Sequence, residues 1–125
     1  MEELIQENNL AESVRLLGFQ ENPLKYFSKA QVFVLSSYVE GLPNVLVEAM
    51  ACGCTPVSTD CPTGPREVLK DGKYGYIVPV RDPEAMASAI QKALEKPMSP
   101  DLIKDAIEPF TEAVVIQKHQ SVLGI

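Results

Sequence analysis

The sequence predicts an α/β domain in which parallel strands alternate with helices. A buried strand is indicated by Gln31–Ser36, which contains the continuous apolar run VFVL, and a second strand by Thr55–Thr59, with Pro56 at its start. A run that is apolar at successive positions is typical of a parallel strand covered on both faces. The clearest helix begins at Asp82 and Pro83 and carries its apolar residues on one side only. Helix and strand signals therefore alternate along one short chain.

The remaining elements follow from local start and stop signals. In chain order we expect a polar helix over residues 2–9, a strand over Ser13–Leu17 closed by Gly18, a helix capped by Asn22 that runs from Pro23 to Ala30, a helix over residues 43–53, a short helix over Pro65–Leu69, a turn at Asp71–Gly72, a strand over Gly75–Val80, and helical stretches that start at Ser99–Pro100 and at Thr111. The predicted sheet has about four parallel strands, flanked by helices.

Ligands of such sheets bind beyond the carboxyl ends of the strands. In this sequence those ends are Gly18–Gln20, Ser36–Leu42, Asp60–Gly64 and Pro79–Arg81. We therefore expect the functional residues in these four segments.

Composition and charge exclude several classes of protein. The 125 residues carry 17 acidic and 11 basic side chains, a net charge of −6, and no cluster of lysine or arginine, so we expect no nucleic-acid partner. No apolar run approaches the ~20 residues of a membrane-spanning helix. Glu2 and Glu3 stand where a signal peptide would be basic. We expect a cytoplasmic location, with a parent enzyme that is peripheral to the inner face of the membrane.

The three cysteines are Cys52, Cys54 and Cys61, and the single histidine is His119. An odd number of cysteines without a secretory signal favours reduced thiols. The spacing does not match a zinc site, so we expect buried thiols that fill the core, with Cys52 and Cys54 mostly buried, and neither a metal nor another cofactor.

The most informative stretch is EGLPNVLVEAMACG, over residues 40–53. It follows a buried strand, turns at Gly41 and enters a helix at Pro43. The first N–H groups of a helix lack partners inside it, and the positive end of the helix dipole lies there. Such a terminus beyond a strand end is suited to a diphosphate.

Glu48 is the one carboxylate within this otherwise apolar helix, and no Lys, Arg or His occurs between residues 41 and 65. Burying an unpaired carboxylate is costly, so Glu48 should reach solvent at a cleft or accept hydrogen bonds. It lies roughly 7 Å from the helix start, at 1.5 Å per residue. A ribose attached to a diphosphate at the helix start could donate both hydroxyls to it. The alternative is an ordinary helix carboxylate that is solvated or paired with a distant cation.

The pair of glutamates separated by seven residues, in the context EGLPNVLVEAMACG followed by CTPVSTD, resembles the signature of retaining family-4 glycosyltransferases of the GT-B fold. The flanking segments SVRLLGF, PLKYFSKAQVFVLSS and GYIVPVRDPEAMASAIQKAL occur in the same order as in that family. The resemblance covers residues 10–95. It implies the Rossmann-like domain that binds the nucleotide-sugar donor.

The resemblance implies roles for individual residues. Glu48 would bind the ribose hydroxyls, and Glu40 would lie beside the donor sugar near the reacting carbon as the catalytic residue. The loop after the first strand would lie against the base, which points to Phe19 and Gln20, although Phe19 could equally belong to the core. The backbone of the turn between the two glutamates would hold the diphosphate and the sugar hydroxyls, through Gly41, Leu42, Pro43, Asn44 and Val45.

DCPTGPREVL, over residues 60–69, resembles the version of this segment in bacterial surface-polysaccharide transferases. It hints at UDP-linked amino sugars as donors and at lipid-linked acceptors, with Thr63 and Gly64 at the border of the cleft. Arg66 has two alternatives, a structural ion pair or a phosphate contact, of which we favour the ion pair.

Compared with a whole enzyme of this family, the chain lacks an N-terminal acceptor-binding domain, two strands of the donor domain and the Lys or Arg they supply. We therefore expect residues 1–125 to be part of a donor-binding domain that does not transfer sugar in isolation. The strands Ser13–Leu17 and Val32–Leu35 should pair with each other or join copies of the chain, because unpaired edges invite pairing.

Two other functions remain open. A sugar-nucleotide epimerase of similar fold would need further acid–base side chains. A nucleotide-binding module without catalysis would need only the helix terminus and Glu48.

Overall fold

The computed structural model describes residues 1–38, 44–62 and 64–110. Its centre is a sheet of three parallel strands in the order β1-β2-β3: β1 (Val32–Leu35), β2 (Thr55–Thr59) and β3 (Tyr76–Val78). Val34 pairs with Val57, and Val57 with Tyr76. All five residues of β2 are buried, although three of them are Thr or Ser. The apolar run VFVL of β1, which was expected to be covered on both faces, is only partly buried, with Val34 38% exposed, because β1 lies at the end of the strand order.

Six helices are present in the described part of the chain. They are α1 (Glu2–Glu7), α2 (Leu24–Phe27), α3 (Asn44–Ala51), α4 (Gly64–Leu69), α5 (Pro83–Glu95) and α6 (Pro100–Ile107), with 3₁₀ turns at Lys70–Gly72 and Glu108–Phe110. None of the helices in the described part of the chain is long and apolar enough to cross a bilayer. The predicted α/β fold with a parallel sheet and flanking helices is confirmed.

The sheet separates two apolar cores. On one face, Leu46, Val47 and Met50 of α3 pack with residues of α4 and α6. On the other face, Ala89 and Ala93 of α5 pack against β2 and β3. Helices α3 and α5 therefore lie on opposite sides of the same sheet, which determines where their N-terminal ends can meet a ligand.

The prediction of a strand at Ser13–Leu17 is wrong. Residues 11–13 form a turn and residues 14–20 have no regular structure, so the sheet has three strands instead of about four. A strand is stabilised by hydrogen bonds to a neighbour, and among residues 1–38, 44–62 and 64–110 β1 pairs with β2 alone. Ser13–Leu17 therefore does not pair with β1, contrary to that alternative of the prediction.

The helix predicted from Pro23 to Ala30 is shorter than expected. It begins after Pro23, which occupies the N-cap position in place of Asn22, and it ends at Phe27. The hydroxyl of Ser28 donates to the carbonyl of Lys25 and so closes the last turn. The helical stretch predicted from Thr111 lies outside the described residues.

Candidate functional site

The carboxyl ends of the three strands meet at one edge of the sheet, which we call the carboxyl edge. Because all three strands are parallel, Ser36, Asp60 and Pro79 follow them at this edge. Three of the four predicted strand ends therefore lie together at the carboxyl edge. The fourth, Gly18–Gln20, does not follow a strand.

Helix α3 begins near the end of β1 and is mostly buried. Leu46, Val47, Ala49 and Met50 are closed off from solvent, which anchors the helix against the sheet and α6. Glu48 lies on this helix and is only half-buried. Within residues 1–38, 44–62 and 64–110 it has neither an ion pair nor a side-chain hydrogen bond. The carboxylate thus reaches solvent, one of the two outcomes expected for it.

The start of α3 is partly within the described residues. Asn44 is exposed and Val45 is half-buried in the first turn. The catalytic candidate Glu40 and the turn residues Gly41, Leu42 and Pro43 lie outside the described residues. The backbone N–H groups of the first turn of α3 are the donors that a helix leaves for an anion.

The two residues predicted to lie against the base are in the irregular segment that precedes α2. Phe19 is 91% exposed, so the alternative that it belongs to the core is wrong. Gln20 donates through Nε2 to the carbonyl of Leu17 at 2.7 Å and accepts from the Tyr26 hydroxyl at 3.3 Å. No hydrogen bond or ion pair among the described residues joins Phe19 or Gln20 to α3.

Arg66 forms the ion pair that we favoured. Its Nε and Nη2 donate to the two oxygens of Asp60 at 2.8 and 3.0 Å, and Nη1 donates to Asp71 at 3.0 Å. The hydrogen bond to Asp60, followed by the one to Asp71, raises the pKa of the guanidinium. Arg66 therefore fixes the segment after β2 to the 3₁₀ turn that follows α4.

A cleft of about 340 Å³ opens at the carboxyl edge on the side of α5. The guanidinium carbon of Arg81 lies 5.3 Å from the centre of the Tyr38 ring at its rim, and Thr59 lies in its wall. The sequence placed Tyr38 and Arg81 within predicted strand ends but gave neither a role. Their contact joins residues 43 positions apart in the sequence, which no local pattern indicates.

The cysteines are free thiols. Cys54 and Cys61 are buried, and Cys52 is partly buried. It lies just past the C-terminal end of α3, where the chain leaves the core. The described part of the chain contains no group of three or more His, Cys, Asp or Glu side chains that could hold a metal ion.

Comparison with known proteins identifies the family. Residues 1–108 match the family described as Glycosyl transferases group 1. One relative, 44% identical over 92 residues, is the N-acetylgalactosamine-N,N'-diacetylbacillosaminyl-diphospho-undecaprenol 4-alpha-N-acetylgalactosaminyltransferase of Campylobacter jejuni. The match covers 74% of this chain and 25% of the relative. Another, the poly(glycerol-phosphate) alpha-glucosyltransferase of Bacillus subtilis, is 33% identical over 86 residues, which cover 69% of this chain and 13% of the relative.

A solved structure agrees with this assignment. The sucrose-phosphate synthase of Thermosynechococcus elongatus superposes with a TM-score of 0.75 and 32% sequence identity, over 98% of this chain and 33% of that protein. The chain thus spans a third or less of these proteins. The family match over residues 1–108 and the shared α/β fold show that the chain belongs to the Glycosyl transferases group 1 family, of the GT-B type.

Proposed function

We propose that this chain binds the nucleotide diphosphate sugar donor of a retaining, family-4 glycosyltransferase, as part of the donor-binding domain of a longer enzyme. The observation that carries the proposal is Glu48: a half-buried carboxylate without a partner among the described residues, on a helix that is otherwise packed into the core. A carboxylate in this setting is suited to accept from the two hydroxyls of a ribose.

The start of α3 supplies the second half of the donor site. Glu48 lies four positions after Asn44, a rise of about 6 Å along the helix. A nucleoside diphosphate with its phosphates at the helix start and its ribose beside Glu48 spans this distance. The helix dipole and the free N–H groups would stabilise the charge that develops on the leaving diphosphate. The proposal also includes Glu40 as the residue beside the donor sugar, as the resemblance implies.

The relatives' names support the proposals for the stereochemistry of transfer and for the substrates. The Campylobacter and Bacillus relatives are both named for α-linked products. Transfer from an α-linked nucleotide sugar to an α-linked product retains the configuration. A UDP-linked amino sugar as donor and a lipid-linked sugar as acceptor, for a bacterial polysaccharide or glycolipid, fit the Campylobacter enzyme's name. The parent enzyme would act in the cytoplasm, at the inner face of the membrane.

The test is a titration of the chain with UDP and with 2′-deoxy-UDP, followed by isothermal calorimetry or by amide NMR shifts. UDP should bind in the millimolar range and shift the amides of α3. Glu48→Gln should weaken binding by about 1.5–3 kcal/mol, or about 10–150-fold, because a hydrogen bond to a charged group is lost. The preference for UDP over 2′-deoxy-UDP should disappear in the same variant.

Glu67→Gln is the matched control, because it removes an equal charge from an exposed position on α4. It should leave both affinities unchanged, and both variants should unfold at the temperature of the wild type. Unchanged UDP affinity in Glu48→Gln, or an equal loss in the control, would contradict the ribose role. UDP-sugar epimerisation by the chain would favour the epimerase alternative instead.

A further inference from the structure

The cleft at the carboxyl edge adjoins the proposed donor site at its sugar end. The proposed function places the ribose beside Glu48, the diphosphate at the start of α3 and the sugar beside Glu40. Tyr38, at the rim of the cleft, stands two positions before Glu40, and two residues of chain span at most about 7 Å. The cleft is therefore next to the proposed place of the donor sugar, so that a substituent of this sugar can enter it.

The two sides of the cleft are held at the end of β2. The Thr59 hydroxyl donates to the carbonyl of Ser37 and so holds the segment after β1 against β2. From the end of β3 the guanidinium carbon of Arg81 reaches to 5.3 Å from the centre of the Tyr38 ring. At about 340 Å³ the cleft is near the lower limit of ligand sites, which run from about 300 to 1,000 Å³. It can take one end of a nucleotide diphosphate sugar and not the whole molecule.

The cation in this cleft requires an acceptor from the ligand. A guanidinium offers five N–H donors and no acceptor. Within residues 1–38, 44–62 and 64–110 Arg81 makes no ion pair, and Asp82, in the cleft wall, accepts from the N–H of Ala85. The φ of Arg81 is +59°, where only glycine is unstrained, and such strain clusters at functional sites. The group that enters the cleft should therefore present an oxygen to Arg81.

The rest of the cleft is suited to an apolar group beside that oxygen. The Tyr38 side chain is 61% exposed, and Pro79, Pro83 and Met86 also line the cleft. Ser36 adds a hydroxyl, which accepts a hydrogen bond as well as donating one. An acetamido group complements all three features, with a carbonyl for the guanidinium, a methyl for the apolar lining and an N–H for the hydroxyl. A carboxylate would match the cation and leave the apolar lining without a counterpart.

We infer that this cleft recognises the 2-acetamido group of the donor sugar, with Arg81 donating to its carbonyl and Tyr38 in contact with its methyl. Arg81 and Tyr38 then determine specificity, because they select N-acetylated amino sugars over sugars with a hydroxyl at C2. The inference rests on the proposed function, since it requires the diphosphate at the start of α3 and the sugar beside the cleft.

The experiment is an amide NMR titration of the 125-residue chain with UDP and with two pairs of donors. The pairs are UDP-N-acetylgalactosamine with UDP-galactose, and UDP-N-acetylglucosamine with UDP-glucose, whose members differ only at C2 of the sugar. In at least one pair the N-acetylated donor should bind about tenfold more tightly, the lower end of the effect of a hydrogen bond to a charged group. It should also shift the amides of Tyr38, Arg81 and Met86, which UDP alone should not.

Arg81→Gly should abolish this preference and should leave the chain folded, because glycine adopts the same φ without strain. Tyr38→Ala, which removes the ring, should reduce the preference. Lys92→Gln is the matched control, because it removes an equal charge from an exposed position on α5. Lys92 lies nine positions after the start of α5, about 14 Å along the helix, so this variant should keep the preference of the wild type.

Equal affinities within both pairs would overturn the inference, as would a preference that survives Arg81→Gly or an equal loss in Lys92→Gln. Binding of UDP would leave the proposed function intact in each of these cases. Tighter binding of UDP-glucuronate than of either N-acetylated donor would also overturn the inference and would assign the cleft to an anionic sugar. Failure of UDP itself to bind would instead contradict the proposed function, and the inference with it.

Discussion

Gly75→Ala should destabilise the chain, although the backbone at this position is open to alanine. Gly75 lies just before β3, opposite Pro56 of β2, and its φ is not in the left-handed region. Replacing glycine at such a position ordinarily stabilises a protein by about 0.4–1 kcal/mol, because it restricts the unfolded chain. A Cβ on Gly75, however, would lie 2.7 Å from the Pro56 carbonyl oxygen and 2.7 Å from its ring Cγ. Neither is the end of a flexible side chain, so the two strands must move apart.

The magnitude follows from these two opposing effects. Overpacking of this kind costs about 1–3 kcal/mol, which exceeds the entropic gain and leaves a net loss of about 1–2 kcal/mol. For a chain of this size that corresponds to a fall in melting temperature of about 3–10 °C. In urea it should move the unfolding midpoint down by about 0.5–1 M.

Thermal and urea unfolding followed by circular dichroism measure this loss. Pro56→Ala removes the ring carbons but not the carbonyl oxygen, so Gly75→Ala should cost less in the Pro56→Ala background than in the wild type. Ser88→Ala, on the exposed side of α5, is the control and should be neutral or slightly stabilising. A Gly75→Ala variant as stable as the wild type would refute the steric argument and the close approach of β2 and β3 on which it depends.

Two further predictions concern the thiols and the sheet edge. Burial raises the pKa of the Cys54 thiol above its ordinary value of 9.0, and the charge of Cys52 raises it further. A thiol reagent at pH 8 should therefore modify Cys54 more slowly than Cys52, which mass spectrometry can measure. In the unfolded chain the Cys54 thiol ionises at a lower pH than in the folded chain, so the stability that Cys54 contributes should be lost as the pH rises above about 9. The free energy of unfolding in urea should therefore fall between pH 8 and pH 10, and it should fall less in the Cys54→Ala variant than in the wild type. On one side β1 has no strand partner among the described residues, and Val34 of β1 is 38% exposed. The chain should therefore associate at high concentration, and Val34→Lys should reduce this association in light scattering while Ser88→Lys does not. A chain that stays monomeric at millimolar concentration would contradict the edge argument.

The elements that the sequence predicted well are those whose signals are local. Helices α5 and α6 begin at the predicted positions, where the side chains of Asp82 and Ser99 accept hydrogen bonds from the N–H groups of Ala85 and Leu102. In both cases the deciding interaction lies within a few residues of the sequence. The burial of β2 along its whole length, by contrast, comes from its central place in the sheet and not from its Thr-rich and Ser-containing composition.

The features that the sequence did not predict correctly depend on residues far apart in the chain. Ser13–Leu17 has the composition of a strand, but a strand forms only beside a partner, and local sequence does not state whether one is present. Likewise, the contact of Arg81 with Tyr38 depends on β1 and β3 being placed on either side of β2. The carboxyl edge was predictable from the alternation of strands and helices, whereas the side chains that meet across it were not.

The free guanidinium of Arg81 depends on where the neighbouring carboxylates are held. Adjacent strands lie about 4.8 Å apart, so the ends of β1 and β3 are separated by about 10 Å, with the end of β2 between them. Asp60 directly follows β2, in the position from which a carboxylate would most easily reach a cation at this edge. Both of its oxygens accept from Arg66, and Asp82 accepts from the backbone of α5. Thr59, the last residue of β2, directs its hydroxyl to the carbonyls of Leu35 and Ser37. The carboxylates of Asp60 and Asp82 and the hydroxyl of Thr59 are therefore already bonded, and Arg81 makes no ion pair with any residue that the structure describes.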